Sequence, residues 1–269
     1  MGDQGSSQVI PSTPMEPVLV AQELCVDFGG ITALDNVSVE VRPREVLGVI
    51  GPNGAGKTTL FNVICGFVAP QSGTLEWKGQ TLDDVRTNRL AGLGIARTLQ
   101  GVGLFPGLSV LENVMMGAER FRRAGVVSAL LALPRGDRDE RALRERATRM
   151  LAQLGCEDVA ARMPQTLPYP VQKRVALARA LVGEPQLLLL DEPAGGLGAE
   201  DMQELGARIG SLRGSTSVML VEHRVDLVMS VCDRVVVLDF GRVIAQGDPA
   251  TVQRDPRVLE AYLGSAEVA

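Results

Sequence analysis

The sequence predicts an α/β protein built on a mainly parallel sheet, with an antiparallel β unit ahead of it and a helical unit set along it. Three observations lead there. Continuous apolar runs recur at residues 46–51 ("VLGVIG"), 187–192 ("LLLLDE"), 217–223 ("SVMLVEH") and 235–239 ("VVVLD"), as expected of strands buried on both faces. Helical patterns separate most of them, the alternation that yields parallel strands. Between about 103 and 170 the character changes and helical signals dominate.

Taken in order, residues 1–17 ("MGDQGSSQVIPSTPMEP") are polar and proline-bearing, and read as a disordered tail. They match the short M-G-x-x-x-[ST] lipidation pattern through Gly2 and Ser6, a match that chance also supplies. "VLVAQELCVDF" and "VSVEV" then alternate as antiparallel strands do. Residues 119–149 hold nine arginines against five acidic residues. Such a stretch could meet an anionic surface. The plainer reading is the solvated face of a helical unit, with Glu140 and Arg144 spaced to pair along one helix.

The chain has 269 residues, 45% hydrophobic and 22% charged, with a formal net charge of −5, which argues against a nucleic-acid partner held by bulk positive charge. Cys25, Cys65, Cys156 and Cys232 are widely spaced with no Cys-x-x-Cys pair, so four reduced thiols are the simpler reading than a metal or redox site. No secretory leader is legible at the start, and the most apolar stretch, "VVSALLALP", is too short to span a bilayer. A membrane role would come through a partner.

"GPNGAGKTT" supplies the chemistry: Gly51, Pro52, Asn53, Gly54, Ala55, Gly56, Lys57, Thr58 and Thr59 follow a buried strand and open a helix. The glycines let successive N–H groups surround nucleotide phosphates, and the helix adds its positive dipole end. Lys57 is placed to reach the β- and γ-phosphates, and the Thr58 hydroxyl to bind Mg²⁺. Residues 187–190 form the strand that delivers Asp191 to the metal through water, and Glu192 is then positioned to polarise an attacking water. His223, the one histidine, ends another apolar run, where α/β sheets gather ligands. A structural role is its alternative reading. Gln100 lies in "RTLQ".

Phosphate loop, "RTLQ", "LPYPVQKRVALARAL", "LLLLDEP" and "VEH", in that order, resemble the motif series of ATP-binding-cassette transporter ATPases over residues 18–264, with 265–269 a short tail. The resemblance implies a phosphate-loop NTPase core, an antiparallel sheet bearing an adenine-stacking aromatic, and a helical subdomain at about 103–170 that docks on a membrane partner. By position Phe28 is that aromatic, a core phenylalanine being its alternative. The resemblance further implies ATP and Mg²⁺ as ligands, the metal held by Thr58, Gln100 and Asp191, with Glu192, His223 and Gln100 acting in hydrolysis. "VDFGGITALDNVSV", "FNVICGF", "RTLQGVGLFPGLSVLENV" and "DPRVLEAYLG" are most similar to the ATPase subunits of branched-chain amino-acid importers. The implied partners are a second ATPase subunit, integral permease subunits and an extracytoplasmic solute-binding protein, at the cytoplasmic face of the cell membrane. A lipid or polysaccharide exporter, or a soluble non-transport cassette protein, are the rival readings.

One segment departs from that family. Its usual Leu-Ser-Gly-Gly-Gln signature, whose serine and glycine donate to the γ-phosphate on the other subunit of a dimer, corresponds here to Leu167, Pro168, Tyr169, Pro170 and Val171. Pro168 has no hydroxyl, and neither proline has an N–H. Gly198 stands where the next loop of the family carries Asp or Asn. Both departures serve the partner's nucleotide, whereas the residues acting on this chain's own nucleotide are present. The pattern implies a heterodimer with two unequal sites, unless the remaining glycines and the helix dipole suffice.

Overall fold

The antiparallel run that opens the chain forms a four-stranded sheet in the order β2-β1-β4-β5. Its strands are β1 (Leu19–Phe28), β2 (Ile31–Val41), β4 (Ser72–Trp77) and the short β5 (Gln80–Thr81). The computed structural model describes residues 16–83, 85–98, 101–121 and 134–266. Gly2, Ser6, Gln100 and most of "VVSALLALP" lie outside the described residues.

The second sheet has six strands in the order β10-β9-β3-β8-β7-β6. Its members are β3 (Val46–Ile50), β6 (Ile95–Arg97), β7 (Leu187–Asp191), β8 (Ser217–Val221), β9 (Arg234–Asp239) and β10 (Arg242–Gly247). All neighbours pair parallel except β10 with β9. The four apolar runs are four adjacent central strands. Their side chains alternate between two cores, as the two-residue period of a strand requires. Val46, Ile50, Leu188, Leu190, Val218, Leu220, Val235 and Val237 enter one core, and Leu47, Val49, Leu187, Leu189, Met219, Val221, Val236 and Leu238 the other.

The second core is closed by β1, β2 and α1 (Lys57–Ile64) through Leu60, Phe61, Val63 and Ile64. The first is closed by α3 (Val110–Gly117), α4 (Pro134–Gln153), α5 (Tyr169–Leu181), α6 (Ala199–Ser211) and α7 (Val225–Val231). Among the described residues, α3, α4 and α5 pack on one another as the helical unit. On α4, Arg144 pairs with Glu140 and Arg149 with Glu145 along the exposed face, which fits the solvated reading of the arginine-rich stretch. Short α2 (Leu90–Leu93), α8 (Pro249–Gln253) and α9 (Pro256–Ala266) complete the fold.

Sequence reasoning did not single out β4, β5, β6 or β10, which are short or carry few apolar residues. β2 also begins at Ile31, well ahead of the "VSVEV" run. Of the cysteines, Cys65, Cys156 and Cys232 are buried, and Cys25 is partly so. Burial raises the thiol pKa of all three, that of Cys232 to about 12.

Candidate functional site

The turn between β3 and α1 is shaped by glycines at two places where no side chain fits. Gly51 has φ +151°, and a Cβ there would lie 2.0 Å from the Leu238 carbonyl oxygen. Gly56 has φ +101°, and its Cβ would lie 2.4 Å from the Ala33 oxygen. The turn is thus pressed between the first sheet and the β9–β10 corner, and Gly241 N–H donates to Ala55 O at 3.1 Å. The loop opens into a cleft lined by Ala33, Asn53, Gly54, Ala55, Gly56, Lys57, Thr58, Thr59, Glu192 and His223. Lys57 is buried, and its Nζ donates to Gly51 O at 2.8 Å and Pro52 O at 2.7 Å. Burial lowers its pKa from the usual lysine value, while the Glu192 charge acts in the opposite direction. Thr58 is exposed in the first turn of α1.

Glu192 and His223 meet because β7 and β8 are neighbours in register. Asp191 is opposite Val221, so the residues that follow emerge side by side. Glu192 N–H donates to Val221 O at 2.9 Å, and His223 Nε2 stands 2.6 Å from Glu192 Oε1. Glu222, buried between them, ties the two loops together: its Oε1 accepts from Ala194 N–H at 2.6 Å and its Oε2 from His223 N–H at 2.9 Å. Sequence reasoning passed over Glu222. Its signal was an acid continuing an apolar run without a break.

Asp191 is buried at the end of β7, where its Oδ2 accepts from Arg97 Nη2 at 2.7 Å. Arg97 Nη1 also donates to Asn62 Oδ1 at 2.9 Å, and its guanidinium lies over the Phe61 and Phe67 rings. The acid expected to serve a metal is therefore also the anchor of an ion pair joining β6, β7 and α1. Arg97 begins the "RTLQ" stretch from which sequence reasoning took only Gln100. Phe28, at the end of β1, is 53% exposed and outside both cores, which fits a ring available to a ligand better than a core position. It is not among the residues lining the phosphate cleft.

The segment with two prolines begins α5 at Tyr169, with Pro168 as N-cap and Pro170 in the first turn. Gln172 N–H donates back to Pro168 O at 3.1 Å, and the Gln172 side chain donates to Leu167 O at 2.9 Å. Gly198 caps α6 with extended backbone, and a Cβ there would meet nothing within 4 Å.

A parallel sheet whose central strand runs through a glycine turn into a helix, with a lysine opening that helix and an acid at the end of the next strand but one, defines a phosphate-loop nucleotide-binding ATPase. The family described as ABC transporter matches residues 34–195, and that of branched-chain amino acid ATP-binding cassette transporters matches 242–268. The chain belongs to the ABC transporter family. It is 38% identical over 253 residues to the high-affinity branched-chain amino acid transport ATP-binding protein LivG of Escherichia coli, covering 93% of this chain and 99% of LivG. With BraF of Pseudomonas aeruginosa, a protein of the same description, it shares 36% over 252 residues, at 93% and 99% coverage. The fold matches a nucleotide-free ATP-binding cassette of an ABC transporter with TM-score 0.79 at 28% identity, covering 92% of this chain and 99% of that one. It also matches the ADP conformation of MJ1267, another such cassette, with TM-score 0.80 at 29% identity over 93% and 100% of the two chains.

Proposed function

We propose that this chain is the ATP-hydrolysing subunit of an importer for branched-chain or similar amino acids. The observation that carries the reading is its end-to-end likeness to LivG and BraF, joined to a phosphate cradle faced by a carboxylate–imidazole pair. The cradle fits a triphosphate: Asn53, Gly54 and Thr58 are exposed along it, and a buried ammonium stands at its wall. Lys57 would leave the carbonyls of Gly51 and Pro52 for the β- and γ-phosphates. Thr58, Gln100 and Asp191 would hold Mg²⁺, which offsets phosphate charge when bound. Glu192 would take a proton from the attacking water, and His223 would hold that carboxylate and face the γ-phosphate. Phe28 offers an exposed ring to the base.

No helix among the described residues is long and apolar enough to cross a membrane. We place the chain at the cytoplasmic face of the cell membrane, held by permease subunits that dock on the helical unit, in a system with an extracytoplasmic binding protein. Residues 18–264 act as one ATPase domain, with 103–170 as its docking subdomain. A head-to-tail dimer with a second, different ATPase chain would close on two nucleotides and reopen on hydrolysis. The test pairs binding with transport. Lys57→Ala should lower Mg-ATP affinity by about a hundredfold or more, having lost the main cation on the phosphates. Loss of the gene should abolish uptake of radiolabelled leucine or a similar amino acid, restored by the unmutated chain but not by Lys57→Ala. Near-normal ATP affinity in Lys57→Ala, or unchanged uptake without the gene, would remove the reading.

A further inference from the structure

Glu192 has φ +48°, in the left-handed region that a residue with a Cβ adopts only when its surroundings hold it there. Its N–H is secured by Val221 O, as described above. Its carbonyl accepts from Gly195 N–H at 3.1 Å and from Lys173 Nζ at 3.3 Å. Lys173 belongs to α5, one turn on from Tyr169, and its ammonium lies 5.4 Å from the centre of the Tyr169 ring. That ring rests on Gly196, where a Cβ would come within 2.9 Å of Tyr169 Cε1. The first two turns of α5 and the loop after β7 are therefore interlocked twice, once by ring on glycine and once by ammonium on carbonyl.

We propose that Lys173 is a positioning residue for Glu192. The direction of a side chain follows from the φ and ψ of its own residue, so whatever holds the Glu192 carbonyl aims its carboxylate. Lys173, steadied over the face of Tyr169, holds that carbonyl from a helix whose start is set by Pro168 and Pro170. The same first turn of α5 lies where a dimer partner's nucleotide would be met. A shift of that turn reaches Glu192 through one side chain, with no movement of the sheet. The role rests on the reading of Glu192 as the group that takes the water's proton.

The test uses the full chain with Lys173→Met, which keeps the stem and removes the ammonium, and Lys173→Arg, which restores a donor. Steady-state ATP hydrolysis should fall about tenfold in kcat for Lys173→Met with KM unchanged, and recover most of that loss in Lys173→Arg. Hydrogen–deuterium exchange of the nucleotide-free chain should quicken for amides 192 and 194–198 in Lys173→Met, with amides 174–181 of α5 unaltered. Unchanged kcat, or unchanged exchange at 192 and 194–198, overturns the positioning role. A fall in ATP affinity matching the fall in rate would make Lys173 a binding residue and overturn it equally. Glu192→Gln distinguishes the two levels: full turnover there overturns the reading of Glu192 and the role of Lys173 with it. Lost turnover in Glu192→Gln beside normal turnover in Lys173→Met overturns the role of Lys173 alone.

Discussion

Glu192 and His223 sit where a small change of chemistry should separate binding from turnover. Glu192→Gln keeps the size and leaves the Lys57 cradle intact, but an amide cannot accept the water's proton. ATP affinity should stay within a few-fold while hydrolysis falls by about a hundredfold or more, the usual worth of a general base. His223→Ala should slow hydrolysis in the same direction and less steeply, because Oε1 of Glu192 loses the nitrogen 2.6 Å away while the carboxylate itself remains. Both are read by nucleotide-binding titration beside steady-state ATPase. An unmutated rate in His223→Ala would reassign that histidine to structure. Asp191 shows why residue identity alone understates a site: the same carboxylate that faces the expected metal also neutralises Arg97 in a buried pair. Removing either partner would leave the other charge uncompensated.

At the scale of one element, the two prolines are compatible with a helix start. The first N–H groups of any helix have no intrahelical acceptor, so Pro168 at the N-cap and Pro170 in the first turn remove no helical hydrogen bond. A proline in the interior of α5 would instead cost about 3 kcal/mol. What the prolines take away is the donors that a ligand would have used. In the same helical unit, the start of α3 is secured by the Ser109–Glu112 capping box and by Asn113. Asn113 is fully buried: its Oδ1 accepts from Phe105 N–H at 2.8 Å, and its Nδ2 donates to the carbonyls of Phe105, Leu108 and Ser109. Asn113→Leu should lower stability by about 3 kcal/mol, because an N–H and several carbonyls lose their fully buried partner. Urea denaturation of the two proteins measures this. A loss below about 0.5 kcal/mol would show that the loop finds other partners.

For the whole molecule, the proposed pairing with a second ATPase chain sets how the work would be divided. If the partner ATPase has an intact signature, the nucleotide on Lys57 meets a full set of donors from across the dimer. The partner's nucleotide meets Pro168, Pro170 and Gly198. Two missing charge-assisted donors correspond to about 3–6 kcal/mol, a hundredfold or more in rate if the whole effect falls on the transition state. The chain by itself should therefore bind Mg-ATP and hydrolyse it slowly. In the assembled heterodimer, Glu192→Gln should remove most turnover, and the equivalent change in the partner should matter far less. Equal losses from the two would sink the idea of unequal sites. Combining Pro168→Ser, Pro170→Gly and Gly198→Asp should raise the rate of the chain alone. A Cβ at Gly198 meets nothing within 4 Å, so the new side chain starts into open space. Fast hydrolysis by the unmutated chain would show that the prolines are tolerated in function as well as in structure.

Much of the architecture was legible because it is encoded locally. A strand buried on both faces must be apolar along its length, and each of the four runs read that way is a strand of the central sheet. The phosphate loop was legible for the same reason: its geometry needs particular residues within a span of nine, following a strand and opening a helix. β6 escaped because three residues carry too little periodicity, and β10 because its apolar run, Val243 to Ala245, is equally short. By itself the sequence determined the class of fold, the order of its motifs and the loss of donors at Pro168 and Pro170, each a property of neighbouring residues. Only the tertiary structure decided that Glu192 faces His223, that Asp191 is paired with Arg97, and that Lys173 reaches the Glu192 carbonyl. Those contacts depend on the spatial order of the strands and on where α5 is laid against the loop after β7. That order is chosen by the packing of the two cores, and no local pattern in the chain records it.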